Sequence, residues 1–84
     1  MVSEAEIVKW ACAELADLLS RPVEEISPGV SFAQLGVDSG RATHLLLALE
    51  DRFDIEVDPD AALELPTIAA LCAYVGRLVA KRST

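Results

Sequence analysis

The chain has 84 residues, 52% of them hydrophobic, with 14 acidic side chains against 7 basic ones and a net charge of −7. That apolar share excludes a disordered acidic segment, and the acidic balance excludes a nucleic-acid backbone as partner, because such binding depends on lysine and arginine displacing counterions. No apolar run approaches the roughly 20 residues that cross a bilayer, and the acidic start MVSEAEIVKW is unlike a basic leader, so a soluble, cytoplasmic protein without membrane contact is expected.

Residues 1–84 read as one domain, small enough to bury only about 60% of the surface its unfolded chain exposes, with little room for a deep cavity. The first predicted element runs from about Ser3 to Leu19. Ser3 and Glu6 have capping-box spacing, and Val8, Ala11, Cys12, Leu15, Leu18 and Leu19 recur at helical spacing. Ser20-Arg21-Pro22 stops it, since proline removes an amide donor and biases the residue before it away from helical angles. Pro22 to Asp38 reads as a long loop. Within it, Ser31, Gln34 and Gly36 frame a single helical turn, whose Phe32 and Leu35 are expected to pin the loop to the core.

A second strongly periodic helix is predicted over 39–53, with Ala42, Leu45, Leu46, Leu49 and Phe53 on one face. Asp58-Pro59 opens a short helix over about 59–65 that Pro66 closes. Thr67 caps a last helix lined by Ile68, Leu71, Cys72, Val75, Leu78 and Val79, with Arg77, Lys81 and Arg82 opposing the macrodipole near its end. No segment alternates like a strand. The expected fold is an all-α four-helix bundle of three long helices, one short helix and a long first loop, because only mutual packing buries three apolar stripes. Cys12 and Cys72 lie far apart with no metal or redox spacing, and read as core side chains.

Polar chemistry is concentrated at LGVDSG, residues 35–40. Asp38 is suited to accept amide hydrogens of the first turn, leaving the Ser39 hydroxyl at the helix mouth, where the dipole favours an anion such as a phosphodiester by about 0.3–1 kcal/mol. Taken alone, the Asp-Ser pair does no more than start a helix. Residues 31–75, however, resemble the acyl carrier protein family. SFAQLGVDS is similar to its phenylalanine followed by LG-apolar-DS, LALEDRFDIEVD to its leucine-rich helix with an acidic and alternating tail, and PTIAALCAYV to its closing helix.

The resemblance implies that Ser39 takes a covalent 4′-phosphopantetheine arm from coenzyme A, beside the cap Asp38, making the chain a monomeric phosphoprotein that catalyses nothing. Acyl groups are then carried as thioesters, in polyketide or related specialised biosynthesis or in fatty-acid biosynthesis. The implied partners are a phosphopantetheinyl transferase and acyl-loading, acyl-transferring or condensing enzymes with basic docking surfaces. From Asp38 to Asp58 six carboxylates face two arginines, a local charge of −4 that steers such partners. Glu50, Asp51 and Glu56 are the expected contacts.

The chain departs from the family after the serine, where an apolar residue is usual and Gly40 and Arg41 stand instead. With His44 one turn on, they are candidate determinants of partner choice. Two other classes remain open: an aminoacyl or peptidyl carrier, and a helical interaction module that carries no arm. A hydrolase built on Ser39, His44 and Asp38 lacks the GxSxG spacing of a nucleophile elbow.

Overall fold

A computed structural model describes residues 2–82. Helix α1 (Glu4–Leu19) begins where the Ser3 side chain accepts the Glu6 amide at 3.2 Å. It ends at Ser20, whose left-handed φ of 54° is a conformation that glycine adopts more readily at helix ends. A 3-10 turn at Val23–Glu25, absent from the sequence expectation, then delivers Ile26 into the core. One valine and two glutamates, none of them buried, carry no periodic signal, which is why the turn was illegible.

Helix α2 (Phe32–Leu35) is the expected single turn, closed at both ends. Ser31 and Gln34 exchange capping bonds at 3.1 and 3.3 Å, and Gly36, at φ 83°, supplies the left-handed exit. Helix α3 (Ser39–Phe53) has the expected bounds. Helix α4 (Pro59–Leu63) starts on the Asp58 cap but stops two residues before the expected end, since Leu65 precedes Pro66 and is disfavoured from helical angles. Helix α5 (Ile68–Arg82) is capped by Thr67, which accepts the Ala70 amide at 3.1 Å.

The long helices α1, α3 and α5 enclose one core, and α1 packs most extensively on α5. On α3 the buried residues are Leu45, Leu46 and Leu49, with Phe53 half-buried and edge-on to Trp10 at 5.8 Å. On α5 they are Ile68, Leu71, Cys72 and Val75, while Leu78 and Val79 are half-buried. The α1 face is rotated from the expected one. Ile7 and Ala16 are buried, whereas Val8, Leu18 and Leu19 are only half-buried, because α5 seals one side of a broad apolar stripe. Cys12 and Cys72 are free thiols in the core. Burial raises both thiols, Cys72 to about 12, with Cys12 and Glu4 as lesser contributors there.

Two connections are tied down by backbone bonds. The first loop is held to the α4–α5 junction by Phe32 N–H to Pro66 O at 2.9 Å and Ala69 N–H to Pro28 O at 3.0 Å. An isolated bridge between Ser31 and Thr67 is the only strand-like pairing among the described residues. Between α3 and α4, Ile55 and Val57 alternate inward and are buried, and the Glu50 carboxylate accepts the Val57 amide at 2.8 Å. Among the described residues no helix is long and apolar enough to cross a membrane.

Candidate functional site

The α2–α3 turn places the serine in three steps. Leu35, 4% exposed, anchors the turn in the core, and its carbonyl accepts a 3.1 Å hydrogen bond from the Arg21 guanidinium. Gly36 reverses the chain, and the Val37 amide returns to the Phe32 carbonyl at 2.9 Å. Asp38, in extended backbone, then caps α3 by accepting the Arg41 amide at 2.8 Å. Ser39 is thereby the first residue of α3, exposed, with no intramolecular hydrogen bond on its hydroxyl among the described residues.

The first turn of α3 leaves backbone donors without intrahelical partners. Arg41 N–H is occupied by Asp38, whereas Ser39 and Gly40 keep theirs pointing out of the helix end. Nothing in the packing requires glycine at position 40: an added Cβ would meet only the Asp38 carboxylate, at an ordinary 3.5 Å. Arg41 folds back to form an exposed ion pair with Asp38 at 3.3 Å, so the surroundings of Ser39 are locally neutral. Exposed pairs of this kind are worth about 0–1 kcal/mol and release easily to a stronger partner.

Beside the serine lies a cleft of about 360 Å³ between α2, α3 and α4, with Asp38 and Ser39 among its lining residues. Its walls are mainly apolar, including Phe32, Val37, Ala42, Leu46, Leu63 and Leu65. The cleft is open to solvent, so it is not the deep cavity for which so small a domain was expected to leave little room. The space is not in the core; it opens where a four-residue and a five-residue helix meet small side chains of α3 and α4.

The expected site residues fall into two groups. Asp38, Ser39, Gly40 and Arg41 share the N-terminal turn of α3, with His44 exposed one turn further on. No hydrogen bond joins Ser39, His44 and Asp38 among the described residues, so no catalytic triad is assembled. The second group is divided by its own bonding. Glu50 is half-buried and engaged with Val57, Asp54 is ion-paired with Arg82, and Asp58 caps α4. Asp51 and Glu56 are exposed, with no partner among the described residues. The sequence reading passed over Leu47, which is 61% exposed. Its position outside the 42-45-46-49-53 stripe is the signal that locates it.

A family model described as the phosphopantetheine attachment site matches residues 9–75. The chain is 32% identical to the acyl carrier protein of Thermosynechococcus vestitus, covering 94% of this chain and 99% of that one. It is 41% identical to the acyl carrier protein of Streptomyces coelicolor, over 80% of this chain and 79% of that one. A phenolphthiocerol synthesis polyketide synthase of Mycobacterium marinum matches at 34% identity over 87% of this chain, which spans only 4% of that enzyme. Among solved structures, a free-standing peptidyl carrier protein from a secondary metabolic pathway of Acinetobacter baumannii superposes with a TM-score of 0.79. Their identity is 29%, with 87% of this chain and 91% of that one covered.

Proposed function

The chain belongs to the phosphopantetheine-attachment family of carrier proteins, and from that premise we propose that Ser39 is the residue that bears its arm. Proteins of this family carry substrates on a covalent 4′-phosphopantetheine group and are not themselves catalytic. The observation that carries the assignment is the pairing of an exposed, unbonded hydroxyl at the α3 N-terminus with an apolar cleft beside it.

The residues present fit the group. When bound, it supplies a flexible thiol on which acyl groups are held as thioesters. Asp38 shapes the attachment point by fixing the first turn. The free Ser39 and Gly40 amides and the positive end of α3 favour the phosphodiester's negative charge. Arg41 can exchange its weak pair with Asp38 for that phosphate. The cleft offers the cargo an apolar surface, and tethering raises its local concentration at whichever enzyme is docked.

Our reading of the wider role is an acyl carrier for polyketide or related specialised biosynthesis, supported by the match to a polyketide synthase segment. The peptidyl carrier neighbour favours aminoacyl cargo as the second reading. The phosphopantetheinyl transferase and the acyl-loading and condensing enzymes are its partners. Gly40, Arg41 and His44 then bear on which enzymes approach, and Asp51 and Glu56 on steering basic surfaces, whereas Glu50 is held by Val57 and is the weakest of the expected contacts.

Incubation with coenzyme A and a phosphopantetheinyl transferase, followed by intact-mass measurement, tests the assignment. Wild type is expected to gain one arm and Ser39→Ala none. An arm on Ser39→Ala moves the site elsewhere, and no arm on wild type removes the reading. Mass measurement of protein recovered from its native host identifies the cargo and decides between acyl and aminoacyl groups.

A further inference from the structure

Gly40 and Arg41 stand directly after Ser39, and nothing in the fold calls for either. A Cβ at position 40 would meet only the Asp38 carboxylate, at 3.5 Å, and the Arg41 side chain is 48% exposed. Their placement around α3 gives the two a common meaning. Successive helical residues are turned by about 100°, so Gly40 lies between Ser39 and Arg41 on the solvent side of the helix. The cleft opens on the other side of Ser39. Ser39, Ala42 and Leu46 line it, whereas Gly40 and Arg41 do not.

Side chains on a helix lean toward its N-terminus. The Arg41 guanidinium accordingly reaches back to the helix mouth, where Nη1 donates to Asp38 Oδ2 at 3.3 Å. A strong charge-assisted bond is shorter, at roughly 2.7–2.9 Å. Asp38 Oδ1 is already taken by the Arg41 amide at 2.8 Å. Both side chains are exposed, so the ion pair gives way readily to a better anion. A side chain at position 40 would also lean over the mouth and stand between Ser39 and that guanidinium. Glycine leaves the passage bare.

Resting on the assignment of Ser39 as the arm's attachment point, we propose that Gly40 and Arg41 act together as a catch for the arm's phosphodiester, holding the arm's root on the side of α3 away from the cleft. Arg41 gives up Asp38 Oδ2 for the phosphate, whose free oxygens suit the planar fork of a guanidinium. Gly40 keeps the path between them clear. The cargo then has two places, sheltered in the cleft or presented to solvent, and the catch shifts the balance toward presentation. Arg41 positions the arm and takes no part in chemistry at the thioester.

The test loads the chain with a phosphopantetheinyl transferase and octanoyl-coenzyme A, so that arm and cargo arrive together, and times thioester cleavage by hydroxylamine with intact-mass measurement. Arg41→Leu is expected to be cleaved about threefold more slowly than wild type, the size of shift an exposed ion pair gives. Gly40→Leu, which keeps the arginine but obstructs its path, should behave like Arg41→Leu. Arg41→Lys, which keeps the charge, should fall nearer to wild type. At about 1 M salt wild type should approach Arg41→Leu, because exposed charges are screened. Arg52→Leu removes another exposed arginine of α3, about 20 Å along the axis from Ser39, and should match wild type. A second readout is the phosphorus resonance of the unacylated arm, which should differ between wild type and Arg41→Leu and be unchanged in Arg52→Leu. If wild type is loaded and Arg41→Leu is cleaved as fast or faster, the catch is overturned while the carrier reading stands. If wild type gains no arm, the reading and the inference fall together.

Discussion

Where α1 meets α5, Ile7, Leu15, Cys72 and Val75 are fully shut off from solvent, but where α2, α3 and α4 meet around Ser39 similar apolar residues leave an open cleft. The first pair consists of 16- and 15-residue helices, long enough for their stripes to interdigitate over several turns. The second junction relies on helices of four and five residues, and alanines at 42 and 62 face the gap. One end of the bundle supplies stability. The other keeps accessible space next to the exposed Ser39 hydroxyl.

Truncation should separate the two regions most strongly. Leu15→Ala is expected to lower the unfolding free energy by about 2–5 kcal/mol, the lost transfer energy plus a cavity in a sealed interface. Leu46→Ala, at a wall that already faces open space, should fall at or below the bottom of that range. Urea unfolding of both variants checks this, and equal losses would break the contrast.

Next in size is the response to alkali. The Cys72 thiol is raised by burial to about 12, so the folded state holds its proton more tightly than the unfolded chain does. Its contribution to stability is complete below the ordinary cysteine range near pH 8.5 and is lost as pH climbs toward 12. The alkaline fall in stability should be shallower in Cys72→Ala than in wild type. Both core thiols should also resist alkylation of the folded protein at neutral pH, leaving an attached arm's thiol as the fast-reacting one.

Smaller effects come from single bonds, one beside the cleft and one near the C-terminal end of α3. Asp38→Ala removes the α3 cap, and Glu50→Ala leaves the Val57 amide unpaired; each should cost about 1 kcal/mol. Only Asp38→Ala should also slow arm transfer, because only Asp38 shapes the turn that carries Ser39. If Glu50→Ala slows transfer equally, Glu50 belongs to the docking face despite its bond to Val57.

The smallest expected change is a gain. Gly40→Ala should stabilise the protein by several tenths of a kcal/mol, since a first-turn glycine lacks helix propensity and its Cβ meets no obstacle. A small rise in Tm with altered partner kinetics would mark the bare backbone at position 40 as functional, whereas a fall in Tm would mean that glycine is structural there.

Local sequence determined the helices, their caps and the place of the serine. Ser3, Ser31, Asp38, Asp58 and Thr67 each cap the helix their spacing indicates, because an N-cap is a bond between residues two or three apart. The 3.6-residue period likewise marked which long segments needed partners. Tertiary structure alone decided which side of the α1 stripe is sealed, that Ile55 and Val57 close the core, and that Glu50 turns inward to Val57. It also decided that the small domain holds a cleft and that Leu47 is left outside the core on the row leading from Ser39. These outcomes depend on which surfaces other elements cover. Capping and periodicity act within a few residues, whereas burial is settled by packing among helices far apart in the chain.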